Sequence, residues 1–94
     1  VLNNKLFQGV RNDQLRHEFE FYDEKNEVRG IIDCLIIRDD RIDIVDFKLK
    51  NISNEEYIIQ LNVYRSYIRQ ITDKPIRTYL LATMTGESEE IYEN

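Results

Sequence analysis

The sequence predicts a small α/β domain built on a mixed β-sheet of four or five strands, covered by at least one helix. Three observations carry this. Two β-branched runs, residues 28–37 and 42–49, flank the polar turn Arg38, Asp39, Asp40, Arg41 and read as a hairpin. Tyr57, Leu61, Tyr64, Ile68 and Ile71 recur at steps of four and three, the stripe of an amphipathic helix. A further apolar run, residues 76–83, follows that helix. Strand, helix and strand in this order imply a parallel pair joined by a right-handed crossover.

The elements follow in chain order. Residues 1–14 show no clean period and read as a helix or an irregular arm. Residues 15–22 set His17, Phe19 and Phe21 against Glu18 and Glu20, the alternation of a half-buried strand. The polar residues 23–27 turn the chain. The central hairpin is apolar on both sides, with Ile31, Leu35, Ile42 and Ile44 on one face and Ile32, Cys34, Ile36, Val45 and Phe47 on the other. A sheet buried on both faces needs cover on both. One helix covers one face, so the second cover is expected from residues 1–14, from a partner chain, or from the rest of a longer protein. Ser53 and Glu56 form a capping box at the helix start. Asp73, Lys74 and Pro75 stop it, since proline cannot continue a helix.

The 94 residues make one domain, 1–94, with no Pro-, Gly- or Ser-rich linker at which a second could begin. A chain this short buries only about 60–65% of its unfolded surface, so each buried charge is a real cost. The lone Cys34 cannot form an intrachain disulfide, which suits a reducing, cytoplasmic setting. No apolar run approaches the roughly 20 residues of a membrane span. The net charge of -5 excludes a basic-arm nucleic-acid binder more firmly than it excludes a metal-dependent enzyme, whose own site must be acidic. The chain begins at Val1 rather than methionine, which is expected either of a piece of a longer protein or of a chain from which a tag has been removed.

Each of the two most apolar runs is interrupted by one aspartate, Asp33 and Asp46. If the turn is symmetric about Asp39 and Asp40, these residues fall opposite each other. Like charges across a ladder are destabilising by roughly 0.2–1 kcal/mol at an exposed site, and by more when desolvated. A hard divalent cation relieves the repulsion, because Mg²⁺ binds through one or two carboxylates. Lys48, two residues beyond Asp46, shares its strand face. If Lys25 and Asn26 centre the first turn, Glu18 falls opposite Asp33 as a third carboxylate in the row. A slip of one residue would send it to the other face.

GIID, IVDFK and QLNVY resemble the signature of the PD-(D/E)xK nuclease superfamily, specifically its RecB-like branch with the added QxxxY motif. The resemblance covers about residues 15–83. It implies a restriction-endonuclease-like β-β-β-α-β core flanked by helices, with Asp33, Asp46 and Lys48 as catalytic residues and Gln60 and Tyr64 as substrate-positioning residues. Mg²⁺ or Mn²⁺ would be held by Asp33, Asp46 and the Phe47 backbone carbonyl, with Glu18 a further candidate ligand. The implied activity is hydrolysis of DNA phosphodiester bonds, exonucleolytic rather than endonucleolytic. The implied context is the C-terminal nuclease domain of a RecB- or AddA-type helicase-nuclease in DNA repair or recombination. The implied partners are single-stranded DNA ends and a helicase, on the same chain or on a separate one, and a homodimer is compatible. The branch carries a metal-binding histidine upstream of its first strand, whereas His17 lies within that strand and faces away from Glu18. This departure favours the alternative of an inactive nuclease-like module that binds proteins or DNA ends. A third reading is a small protein-binding domain with incidental carboxylates, which predicts no metal.

The remaining polar residues have plainer expectations. Asp39, Asp40, Arg41 and Asp43 are read as turn and edge solvation. Arg65 and Arg69 are read as a solvated helix face, with a phosphate grip as the alternative. Tyr57, Tyr64 and Tyr67 are read as core, with base stacking as the alternative.

Overall fold

The computed structural model describes residues 4–48 and 54–92. Strands β1 (Leu15–Asp23), β2 (Val28–Ile37) and β3 (Ile42–Lys48) are followed by α1 (Asn54–Ile71), β4 (Ile76–Ala82) and β5 (Ser88–Ile91). The five strands form one mixed sheet in the order β1-β2-β3-β4-β5. The β3–β4 pair is parallel and the other three are antiparallel. Strand β5 was not singled out from the sequence, where its acidic residues Glu89 and Glu90 hide its weak apolar signal.

Both hairpins adopt the register counted from their turns. Leu35 pairs with Ile44 and Ile37 with Ile42, while Leu15 pairs with Ile36 and Asp23 with Val28. The first turn is held by Asp23, which is buried and accepts hydrogen bonds from Asn26 N at 3.1 Å and Asn26 Nδ2 at 2.8 Å. Gln70 Nε2 of α1 donates to the same carboxylate at 3.0 Å, tying the hairpin tip to the helix.

Simple alternation fails at one place. Phe19, Phe21 and Ile32 pack with Leu35, Ile44 and the α1 residues Tyr57, Leu61, Tyr64 and Ile68, whereas Leu15, Cys34 and Ile36 pack on the opposite face. β1 and β2 therefore exchange faces together between these two sets. Glu18, at φ 50°, lies at the exchange, and it is the one residue of β1 skipped by a ladder that keeps its register on both sides. Ile32 thus joins the helix-side core rather than the far face expected of it, and Ile31 is 49% exposed.

The far face is covered by the N-terminal arm, a pair of short 3-10 turns at Lys5–Phe7 and Asn12–Gln14 rather than a helix. Phe7 is buried against Cys34, Ile36, Val45, Tyr79 and Leu81, with Leu6 and Val10 beside it. Asp43 is fully buried, contrary to its expected solvated role. Its carboxylate accepts from Arg38 Nε and Arg41 Nε, each at 2.9 Å. Arg38 Nη2 also donates to the Leu6 carbonyl at 2.9 Å, so one ion cluster closes the turn and pins the arm.

Helix α1 buries Tyr57, Leu61, Tyr64 and Ile68 as expected, but Ile71 is 59% exposed because the stripe runs past the end of the sheet contact. Arg65 and Arg69 are not a free solvated pair. Arg65 Nη2 donates to the Thr78 hydroxyl and to the Ile91 carbonyl, and Arg69 Nη2 donates to the Lys74 carbonyl. The expected strand end at Leu49 and the Ser53 cap lie outside the described residues. No helix among the described residues is long and apolar enough to cross a membrane.

Candidate functional site

The site lies where the β2–β3 ladder opens. Backbone pairing between the strands runs as far as Cys34 and Val45. One step beyond, Phe47 N donates to Asp33 Oδ2 at 2.8 Å, so a carboxylate takes the N–H that a neighbouring carbonyl would otherwise accept. Asp46 is only 1% exposed, within hydrogen-bonding reach of the Asp33 carboxylate. Phe47 packs into the far core, so Asp46 and Lys48 point to the α1 side.

Burial, and then the hydrogen bond and charge of the adjacent Asp33, together push the Asp46 carboxyl up to about 8, against a smaller opposing effect of Gln60. The pair therefore retains a proton at neutral pH. Ion pairs among the described residues join Arg11 to Asp13 and both Arg38 and Arg41 to Asp43, away from Asp33 and Asp46.

Helix α1 meets the site through side chains of the QxxxY motif. Gln60 Nε2 donates to Asp46 Oδ2 at 2.8 Å, and the Tyr64 hydroxyl donates to the Ile31 carbonyl at 2.8 Å. One helical turn apart, the two residues thus grip β3 at Asp46 and β2 beside Asp33. The resemblance implies substrate positioning for both residues, and in the structure their polar ends reach the two strands that carry the aspartates. Burial, then the charges of Asp46 and Asp33, raise the Tyr64 phenol, which keeps it a donor.

Lys48 Nζ donates to Asn54 Oδ1 at 2.6 Å, at the start of α1. Asn54 was not singled out from the sequence, since only the fold brings the helix start back over the end of β3. Glu18 is passed over between the His17–Cys34 and Phe19–Ile32 pairs and is exposed, and no group of three or more His, Cys, Asp or Glu side chains converges on one point among the described residues. His17 pairs with Cys34, whose side chain is in the far core, so it lies away from Asp46. Tyr67 stacks on Phe21 at 4.6 Å and 25°, and Tyr64 meets the same ring edge-on at 5.7 Å. Tyr57 and Tyr64 are buried, so these aromatic rings are core.

Two hard carboxylates with no cationic partner among the described residues, beside the Phe47 backbone, are a donor set that fits Mg²⁺ or Mn²⁺. A divalent cation would take the place of the proton held between buried Asp46 and half-buried Asp33.

No protein-family profile matches the chain. Over 88 residues it is 32% identical to one component of the ATP-dependent helicase/nuclease of Carboxydothermus hydrogenoformans. That alignment covers 86% of this chain and 8% of the relative, so the chain corresponds to a small part of the curated protein it matches.

Proposed function

We propose, from the similarity to a helicase/nuclease component and from the opened strand pair, that the chain is a RecB-like PD-(D/E)xK nuclease domain that hydrolyses DNA with Mg²⁺ or Mn²⁺. The observation that carries this is the apposition of Asp33 and buried Asp46, with no cation on either among the described residues, at the point where β2 and β3 part. Asp33, Asp46 and the Phe47 carbonyl would hold the ion. When bound, the cation supplies Lewis-acid polarisation of a phosphate and a lowered pKa for the attacking water. Asp46 gives up its proton on binding, and Gln60 keeps the freed oxygen in place. Tyr64 fixes the Ile31 carbonyl and with it the backbone approach to Asp33. Lys48 presents its ammonium to the negative charge that grows on the phosphate. A helicase partner that delivers single-stranded ends would supply the basic track that a chain of net charge -5 lacks.

The test is cleavage of end-labelled single- and double-stranded DNA with Mg²⁺, Mn²⁺ or EDTA. Cation-dependent cleavage that is lost in Asp46→Asn is expected. Cleavage that survives EDTA, or an Asp46→Asn variant that cuts at the parent's rate, overturns the proposal. A second reading, an inactive nuclease-like module, is favoured by the engagement of Lys48 Nζ with Asn54 and by the lack of a third converging ligand among the described residues. It predicts cation binding without cleavage in the same assay.

A further inference from the structure

We propose that Asn54 is a positioning residue that holds the Lys48 ammonium off the aspartate pair and so keeps Asp33 and Asp46 open to a divalent cation. The inference rests on the metal-dependent reading above and extends it to a residue outside the nuclease motif.

The geometry sets up a competition. Lys48 and Asp46 stand two residues apart on one face of β3, about 6.5–7 Å at the rise of a strand. A lysine side chain spans that distance easily. An ammonium free to move would settle on the nearest carboxylates, where buried Asp46 and its neighbour Asp33 have no other cation among the described residues. That internal ion pair would neutralise the charge that attracts a metal ion and would occupy its oxygens. Instead, Nζ lies 2.6 Å from Asn54 Oδ1. The oxygen assignment is dictated by chemistry, since an ammonium can only donate and the amide nitrogen cannot accept.

The placement is economical in the fold. Asn54 opens the helix that also carries Gln60 and Tyr64, so one rigid element sets the position of Lys48, the Asp46 carboxylate and the Ile31 carbonyl. An acceptor that is uncharged binds the ammonium without adding a further negative charge. Asparagine meets that need, and aspartate would meet the hydrogen bond while adding charge at a helix start, where it is tolerated.

The experiment is a double-mutant cycle read by Mn²⁺ dissociation constants, measured by titration calorimetry on the parent, Asn54→Ala, Lys48→Ala and the double variant. Loss of an outer-shell partner typically weakens metal binding by about 10- to 100-fold. Asn54→Ala is expected to weaken Mn²⁺ binding about tenfold, because Lys48 is released onto the carboxylates. Lys48→Ala is expected to bind Mn²⁺ as well as the parent or slightly better. In the Lys48→Ala background the Asn54→Ala effect should vanish, and Asn54→Asp alone should bind within about threefold of the parent. Unfolding midpoints of all variants, taken without metal, identify any loss that comes from a weakened helix start. An equal loss of Mn²⁺ affinity from Asn54→Ala in both backgrounds overturns the proposal, as does a loss in Asn54→Asp as large as in Asn54→Ala. A parent that binds Mn²⁺ and an Asn54→Ala variant that binds it equally well refute the role of Asn54 alone. A parent that binds no Mn²⁺ refutes both this role and the metal-dependent reading.

Discussion

Asp46 couples the folding of this protein to pH. Its carboxyl is raised by burial and by Asp33, to about 8, above the roughly 4 of an unfolded chain. The native state then holds a proton that the unfolded state releases, so this contribution is full below about pH 4 and declines as pH rises toward 8. The metal-free protein should therefore melt at a lower temperature at pH 8.5 than at pH 5.5. Asp46→Asn, which retains the shape without the charge, should flatten that part of the profile and melt above the parent at pH 8.5, which thermal scans across pH will check. Saturating Mn²⁺ should raise the parent's melting temperature most at the alkaline end, by linkage worth about 2.7 kcal/mol at a hundredfold excess over the dissociation constant. Lys48→Ala should abolish cleavage and leave Mn²⁺ affinity nearly intact, since it withdraws a charge felt chiefly in the transition state. The aspartates were legible in the sequence because a charge inside an apolar run stands out. Asp43 was not, since beside Arg41 and Asp40 it looks like one more turn residue, and only the folded turn shows two guanidinium groups closing over it.

The helix and the first hairpin set the tolerance of the site to substitution. Tyr64→Phe leaves the Ile31 carbonyl without its donor and should cost about 1–3 kcal/mol of stability. Gln60→Ala removes a hydrogen bond from an exposed residue and should cost less. Both should lower kcat/KM about ten- to a hundredfold through displaced carboxylates, measured per folded molecule by active-site titration. Gly30 allows the Phe21 ring to lie across β2, where an added Cβ would stand 2.6 Å from Phe21 Cε1 and 3.3 Å from Tyr64 Cε1. Phe21 is clamped between Tyr64 and Tyr67 and has little room to yield. Gly30→Ala should accordingly destabilise by about 1–3 kcal/mol, readable from urea midpoints. The register of both hairpins was legible from the turns alone, because pairing is fixed once the turn is centred. The exchange of faces at Glu18 was not. Odd-numbered residues of β1 are the apolar ones on both sides of it, so the sequence alternates without a break while the strand changes the core it serves.

At the scale of the whole molecule, two cores share one sheet and are covered unequally. The α1 side is closed by an 18-residue helix, the other by an arm whose anchor is Phe7. Phe7→Ala should therefore cost about 3 kcal/mol, a large part of the margin of so small a domain, and calorimetry would measure it. The mixed sheet and its crossover helix were legible because their periods are strong. The arm was not, because short 3-10 turns leave no period to count. The open outer edge of β1 gives the kink at Glu18 a further meaning. An unbroken nine-residue edge strand offers its spare N–H and C=O groups to any extended chain. The left-handed residue divides that edge into Leu15–His17 and Phe19–Asp23, two templates too short and too differently oriented for a second sheet to adhere along both. Glu18→Gly, which accepts the same backbone angle without strain, should leave the sedimentation behaviour unchanged. Glu18→Val, which favours an extended backbone, should straighten the edge and promote self-association at high concentration.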